Sequence, residues 1–301
     1  MSILVDASTR ILVQGLTGSQ ASVDSQRALR YGARIVAGVT PGRGGEAVHG
    51  IAVYDSVAEA IGRHEIDATI LYMPPLAVRD AALEAIEQRI PLLIVTAEGV
   101  PLHDATYVIA AARAAGVKLV GCNTNGVISP GRGRIGGIGG EDPSEIYEPG
   151  RIGICSRSGG MSAELARTLK FAGWGVSTCV SMGGDRITGL RMSDYALLFQ
   201  DDPETDAIVV FGEPGTGNER GLADVVRDGR VTKPVVALVA GIFQEAYPAG
   251  RSFGHAAALV REHADTASAK IAMLREAGAR VATTLDEIPH LLNQALHEVR
   301  R

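Results

Sequence analysis

The chain has 301 residues, of which 46% are apolar and 21% are charged, as in globular proteins with substantial cores. This balance excludes a disordered, collagenous or coiled-coil chain, and the length predicts two domains of ordinary size. The formal net charge of −5 argues against broad binding of nucleic acids or anionic membranes, and no apolar run reaches the length of a membrane span.

Two features predict a cytoplasmic protein. Residues 1–10 contain Asp6 and lack the apolar run of a secretory leader. The three cysteines, Cys122, Cys155 and Cys179, are odd in number and lack C-x-x-C spacing. We therefore expect reduced thiols and no zinc or other metal site.

Short β-rich runs alternate with helical patterns in the first part of the chain. A helix is predicted at 21–31, and strands are predicted at 11–13, 34–39, 67–72, 91–96 and 117–120. Such alternation is typical of an α/β fold, in which helices cover both faces of a parallel sheet.

The alternation stops at residues 121–150, which are rich in glycine and proline, and then resumes. We predict a first domain at 1–128, a connector at 129–150 and a second α/β domain at 151–301. In the second domain, helices are predicted at 159–172 and 286–299, and strands at 151–155, 176–180, 207–211, 234–239 and 280–283.

A glycine loop at residues 15–20 follows the first predicted strand and opens the first helix. Glycines and free helix N–H groups together favour a phosphate. The loop is not G-x-G-x-x-G, and Arg43 precedes the first acid after strand two, Glu46. An NAD site needs an acid there, so the pattern favours a phosphorylated nucleotide carrier over NAD. A tight turn with a solvated Arg43 is the alternative interpretation.

His255 is the candidate nucleophile of the second domain. It follows a glycine and precedes the helix-favouring run 256–260, which predicts a histidine at a helix start. Glu213 follows the predicted strand 207–211, and a carboxylate on one imidazole nitrogen leaves the other nucleophilic. The alternatives are a structural histidine and an acid that caps the next helix. Residues 156–160 offer a second helix start for an anion.

Seven short motifs occur in a fixed order along the chain. They are G-L-T-G-S-Q at 15–20, A-G-V-T-P-G-R-G-G at 37–45, T-A-E-G-V-P at 96–101, S-R-S-G at 156–159, G-G-D at 183–185, G-E at 212–213 and G-H-A at 254–256. In this order the motifs resemble those of the α subunit of succinyl-CoA synthetase and its NDP-forming acid–CoA ligase relatives, including malate–CoA ligase. The resemblance extends over nearly the whole chain.

The resemblance implies a Rossmann-like CoA-binding domain followed by a flavodoxin-like ligase domain. Arg43 stands where the family has a CoA-binding lysine. The positions that the resemblance assigns to coenzyme A are Thr17, Gly18, Ser19, Gln20, Arg43, Thr96, Ala97 and Glu98.

In the second domain the resemblance makes His255 a phosphohistidine, oriented by Glu213, with amides of Ser158 and Gly159 facing the phosphate. It also implies ATP or GTP with Mg²⁺ on a β subunit of the ATP-grasp type, in an αβ or α2β2 assembly. A small carboxylic acid, activated as an acyl phosphate, would then receive CoA.

The acid site departs from the family pattern. Asn123 and Thr124 lie in G-C-N-T-N-G, where the family has G-P-N-C-P-G, while Gly160 and Ala163 replace a threonine and a tyrosine. Because the last two changes remove bulk and hydroxyls, we expect an acid other than succinate. The alternatives are an ordinary succinyl-CoA synthetase α subunit and a CoA-binding protein without catalysis. A nicotinamide dehydrogenase is disfavoured by the missing acid after strand two.

Overall fold

The computed structural model of the protein describes residues 2–251, 253–255 and 257–299, so Ala256 of the G-H-A motif lies outside the described residues. Each half of the chain is built on one sheet. No described helix is long and apolar enough to cross a membrane. The described residues also contain no cluster of three or more His, Cys, Asp or Glu side chains suited to a metal ion.

The first sheet is parallel except at one edge. Its strands are β1 (Arg10–Gln14), β2 (Arg34–Val39), β3 (Ala47–Val48), β4 (Ile51–Tyr54), β5 (Ala68–Leu71), β6 (Leu92–Val95) and β7 (Lys118–Val120). They lie in the order β3-β4-β2-β1-β5-β6-β7, and β3 runs antiparallel to β4. The predicted strands of this half are confirmed. The sequence analysis did not predict β3 and β4, which are too short for a clear alternating pattern.

The second sheet has five parallel strands and an antiparallel hairpin. Its strands are β8 (Gly126–Ser129), β9 (Gly133–Ile135), β10 (Pro149–Ser156), β11 (Val176–Ser181), β12 (Ala207–Gly212), β13 (Val235–Val239) and β14 (Arg280–Ala282). They lie in the order β14-β13-β12-β10-β11-β8-β9, with β8 antiparallel to β11.

The hairpin β8–β9 belongs to the segment in which the sequence shows no helix–strand alternation. Its glycines have a packing reason, since a Cβ on Gly126 would lie 1.9 Å from the carbonyl oxygen of Ile135. The stretch predicted as a connector therefore carries β9 and the start of β10. The domain limits themselves stay a prediction.

Helices cover both faces of each sheet. They are α1 (Ser19–Arg30), α2 (Val57–Ile61), α3 (Val78–Glu87), α4 (Leu102–Ala114), α5 (Gly159–Phe171), α6 (Met192–Asp201), α7 (Asn218–Arg227), α8 (Ala267–Glu276) and α9 (Glu287–Val299). Alternate residues of a strand point to opposite faces, so Leu12 packs in one core cluster and its neighbour Val13 in another. A central cluster joins Val13 of the first half to Val210 of the second.

The predicted helix after the G-H motif is wrong. The described residues 257–262 form a turn and irregular backbone, followed by a short 3-10 turn at His263–Asp265. The run of good helix formers is overridden by tertiary contacts, since the carbonyl of Ala257 packs where a Cβ of Gly215 would stand, 2.1 Å away.

A buried ion pair fixes the loop after β12. Lys270 of α8 and Glu219 of α7 are 2% and 0% exposed, with 2.6 Å between Nζ and Oε2. The same ammonium donates to the carbonyl oxygens of Glu213, at 2.8 Å, and Gly215. The ammonium therefore has acceptors on both the loop and the start of α7, which offset its desolvation.

Replacing the buried ammonium tests this arrangement. Lys270→Met leaves the Glu219 carboxylate buried without its cation, so we expect the free energy of unfolding to fall by about 3–5 kcal/mol. Urea unfolding followed by circular dichroism measures it. Lys118→Met, at an exposed lysine of β7, is the control. Equal stability of the two variants would contradict the role of Lys270.

Candidate functional site

The predicted pair of Glu213 and His255 meets in the structure. The Nδ1 atom of His255 lies 2.9 Å from Oε2 of Glu213, although the two residues are 42 positions apart in the chain. Glu213 is buried directly after β12, where the carboxyl ends of the parallel strands collect ligands in α/β folds. With Nδ1–H donating to the carboxylate, Nε2 of the neutral ring keeps its lone pair and is available as a nucleophile.

The second carboxylate oxygen of Glu213 accepts a hydrogen bond from Arg157. The Nε atom of Arg157 lies 3.2 Å from Oε1 of Glu213. Arg157 is 1% exposed, and its Nη2 also donates to the carbonyl oxygen of Asp185 at 3.1 Å. Its Nη1 is buried and has no partner among the described residues. An unpartnered guanidinium N–H beside a nucleophilic histidine fits an anionic ligand such as a phosphate.

The imidazole ring of His255 lies against Gly184. A Cβ at position 184 would be only 3.0 Å from three ring atoms, Cδ2, Cε1 and Nε2. Glycine at this position lets the ring come close to the backbone. This close approach is a physical reason for the glycine in the G-G-D motif at 183–185. The ring is thus held on one face by Gly184 and at Nδ1 by Glu213.

The start of α5 lies at the end of β10. Its N-cap is Ser158, whose hydroxyl accepts from the amide of Met161 at 3.4 Å. The first amides of a helix, here those of Gly159 and Gly160, have no intrahelical acceptor. A Cβ at position 160 would meet only the Ser158 hydroxyl, at 3.9 Å, so there is open space beside Gly160. Ala163 is half-buried one turn further on.

The acid-side residues join the two halves of the chain. The amide of Asn123 donates to the carbonyl of Ala97 at 2.9 Å, and the carbonyl of Asn123 accepts from Gly184 at 3.2 Å. Thr124 is buried, and its hydroxyl donates to the carbonyl of Ser181. The backbone of Asn123 therefore connects the loop after β6 to the glycine beneath His255.

The glycine loop after β1 has the features of an anion site. Gly18 is the N-cap of α1 and provides no side-chain cap, so the first amides of α1 lack a side-chain acceptor. At φ +80°, Gly15 lies so close to Tyr72 that a Cβ would be 2.5 Å from its carbonyl oxygen. Ser19 is exposed, and Thr17 pairs with Thr40 at 3.2 Å between hydroxyls.

The remaining CoA candidates surround this loop. Arg43 is exposed and ion-paired with Glu46, at 2.7 Å from Nη2 to Oε2. Gln20 donates to Asp24 of its own helix at 2.9 Å. Thr96 donates to the carbonyl of Leu71 at 2.7 Å, while Glu98 is exposed. Arg43 thus lies at the surface in an ion pair with Glu46, and the hydroxyl proton of Thr96 is used within the protein.

Sequence reasoning missed Arg157, Gly184 and Lys270 as parts of the site. The first two lie inside the motifs S-R-S-G and G-G-D, so the motifs were a signal for them. Lys270 had none, because a single lysine in a helix is ordinarily solvated.

The surroundings of His255 shift its titration towards higher pH. The hydrogen bond that Nδ1 of His255 donates to Glu213 raises the pKa of His255 above its usual value, and burial of the ring opposes this. Burial raises the pKa of the nearby Cys122 thiol to about 12, so this thiol is not a nucleophile at neutral pH. The neutral fraction of His255 therefore rises as the pH passes through its raised pKa.

The charge of Glu213 is tested by Glu213→Gln, which keeps an oxygen that accepts from Nδ1–H. We expect the pKa of His255 to fall, because the anion that favours the imidazolium is gone. An NMR titration of the ring Cε1–H signal measures it. Glu276→Gln, at an exposed acid that ends α8, is the matched control. An unchanged pKa in Glu213→Gln would contradict the pairing.

Comparisons with known proteins match the two halves of the chain to two different family models. Residues 6–99 match the family model "CoA binding domain", and residues 149–294 match "Succinyl-CoA ligase like flavodoxin domain". The predicted order of a CoA-binding domain and a flavodoxin-like domain is therefore confirmed.

Several relatives align over nearly the full chain. Succinate–CoA ligase [ADP-forming] subunit alpha 2 of Archaeoglobus fulgidus is 41% identical, over 98% of this chain and 100% of its own. A subunit of the ADP-forming sulfoacetate-CoA ligase of Acholeplasma sp. is 38% identical, over 98% of both chains.

Among solved structures, ATP citrate lyase of Methanosaeta concilii in complex with (3S)-citryl-CoA superposes with a TM-score of 0.91 at 28% identity. The alignment covers 99% of this chain and 51% of that one, so the present chain spans about half the length of that enzyme chain. These matches, together with the geometry of Glu213 and His255, show that the chain belongs to the family of succinyl-CoA ligase α subunits.

Proposed function

We propose that this protein is the α subunit of an NDP-forming acid–CoA ligase, in which His255 carries a phosphoryl group during turnover. The observation that supports this is the buried Glu213 carboxylate at 2.9 Å from Nδ1 of His255, which leaves Nε2 as the nucleophile. A pure CoA-binding protein needs neither side chain.

The chain's own residues support the transfer in defined ways. Glu213 accepts the hydrogen bond from Nδ1–H and so keeps that proton in place. Nε2 must be deprotonated before it attacks phosphorus. The Nε2–P bond then forms as the bond from phosphorus to the leaving oxygen breaks. The free Nη1 of Arg157 and the first amides of α5 would face the phosphoryl oxygens. Phosphoryl transfer depends mainly on such positioning and charge neutralisation.

Coenzyme A would occupy the glycine loop after β1. The uncapped start of α1 at Gly18 suits its phosphates, and the exposed Arg43 adds a cation at the end of β2. Its thiol would attack the acyl carbon of the acyl phosphate, so that the C–S bond forms as the C–O bond to the phosphate breaks and inorganic phosphate leaves. The loop containing Thr96, Ala97 and Glu98 leads from the first domain towards His255. Ala97 is hydrogen-bonded to Asn123, and Asn123 is hydrogen-bonded to Gly184, which lies against the His255 ring.

We propose that a β subunit of the ATP-grasp type binds ATP or GTP with Mg²⁺ and completes the acid site. Support comes from the relatives, which are named as alpha subunits of ADP-forming ligases. The half-buried His255 lies at the surface of this chain, where a phosphoryl donor held by another subunit can reach Nε2.

The phosphohistidine is tested by His255→Ala in the complex with the β partner. With MgATP, mass spectrometry is expected to detect phosphate on the wild-type peptide and none on the variant, while thioester formation falls by at least 10³-fold. Circular dichroism and CoA binding are expected to be unchanged.

The matched control is His263→Ala, at an exposed histidine eight positions on. This variant is expected to keep the wild-type rate. A His255→Ala enzyme with the wild-type rate would overturn the proposed mechanism.

We further propose that the acid differs from succinate, because Gly160 leaves open space and Ala163 carries no hydroxyl near the start of α5. Relatives act on different acids by name, including sulfoacetate. A site that hydrogen-bonds its substrate discriminates sharply between substrates, so the loss of two hydroxyls changes the preferred acid.

The acid is tested with a panel of succinate, malate, sulfoacetate and larger carboxylates, read by mass spectrometry of acyl-CoA products. Gly160→Thr fills the open space and is expected to lower kcat/KM for the preferred acid by about tenfold or more. Gly62→Thr, in the first domain, is the control. Succinate as the best substrate, with no effect of Gly160→Thr, would identify an ordinary succinyl-CoA synthetase subunit instead.

A further inference from the structure

A large cleft lies between α4 of the first half and the second half of the chain. It has a volume of about 1010 Å³, and its walls are α4, the 186–191 loop, the start of α7 and the 257–265 segment. Its described lining includes none of the residues proposed above to hold CoA, the acid or the phosphoryl group. The cleft therefore adjoins the segments around Gly184 and His255 without including either residue in its lining.

Five arginines from these four segments line the cleft. They are Arg113, Arg186, Arg191, Arg220 and Arg261. In the described part of the chain none of their guanidinium groups forms an ion pair, whereas ten other arginines do. The concentration of unpaired cations in one cleft contrasts with the net charge of −5 for the whole chain.

The acidic groups that line the cleft do not neutralise these cations. Asp265 accepts from the backbone amides of Arg261, at 3.0 Å, and Glu262, at 3.3 Å, so its charge is directed at the backbone. The Lys270 ammonium, which also borders the cleft, is already paired with Glu219. Counting Glu262 and Asp265 against five arginines leaves an excess of positive charge, which an anion from outside the chain would offset.

The start of α7 also lines the cleft and offers backbone donors. Residues 216–218 lead into α7, a helix of 10 residues whose N-cap, Gly217, provides no side-chain hydrogen bond. The first amides of α7 therefore lack a side-chain acceptor in a segment that lines the cleft beside the arginines. Guanidinium groups and helix amides together are the donor set that phosphate oxygens prefer.

The size and the apolar wall set the class of ligand. A cleft of about 1010 Å³ is far larger than a single phosphate needs and lies at the upper end of small-molecule sites. Ile109, Leu259 and Met273 form an apolar part of the lining beside the arginines. The cleft thus combines a polyanion site with room for an attached organic group.

We propose that this arginine cleft binds a small molecule with two or more linked phosphate groups, either a free polyphosphate or a nucleoside polyphosphate. Such a ligand contacts Arg186, shortly after Gly184, and Arg261, shortly after His255. It therefore lies against both segments that position the nucleophilic ring.

The probes are pyrophosphate and ATP, titrated by calorimetry into the chain without CoA, because the linked phosphates of CoA would themselves compete for the cleft. We expect saturable binding by the wild type and a Kd at least tenfold weaker for Arg186→Ala/Arg220→Ala. The control Arg63→Ala/Arg230→Ala removes the same charge from exposed positions outside the cleft. It is expected to keep the wild-type Kd.

The outcomes separate the two ligand sources. Equal Kd values for pyrophosphate and ATP support a free polyphosphate, and tighter binding of ATP supports a nucleoside polyphosphate against the apolar wall. No saturable binding, or equal weakening in the control, would overturn the proposal. Loss of binding in the complex with the β partner would also overturn it, because the partner then covers the cleft. None of these results depends on turnover at His255.

Discussion

The site depends on one buried carboxylate with two partners. Glu213 lies out of solvent at the end of β12, where an unpaired anion would be costly, and Arg157 and His255 satisfy its two oxygens. This need for compensation fixes the imidazole orientation and the tautomer together. The same carboxylate raises the pKa of His255, so the group that positions the nucleophile also sets the pH range in which Nε2 is free.

The surrounding fold keeps this carboxylate in place. Lys270 binds the carbonyls of Glu213 and Gly215 while it neutralises Glu219, so the loop after β12 is tied to α7 and α8. On the face of the ring that Gly184 covers, backbone hydrogen bonds connect Gly184 to Asn123 and Asn123 to Ala97 of the first half of the chain. The proposed CoA site and the nucleophile are thus connected by backbone hydrogen bonds rather than by flexible side chains.

The sequence predicted the strands on both sides of the site because buried parallel strands are nearly continuous apolar runs. It also predicted the pair of Glu213 and His255, since both residues stand next to glycines at strand ends or loops. It failed for the run after His255, whose residues favour a helix but form a turn against Gly215. It also failed for β8 and β9, where many glycines obscure the pattern of a hairpin.

The two α/β halves, the family motifs and the types of side chain available for chemistry can be deduced from the amino-acid sequence, because local periodicity and short motifs depend on neighbouring residues. Which of these groups meet depends on how the chain packs. The contact of Arg157 with Glu213 joins residues 56 positions apart, and the five arginines of the cleft come from four separate segments. Packing of the two sheets brings such groups together, and neither burial nor pairing of a charge can be deduced from its neighbours in the chain.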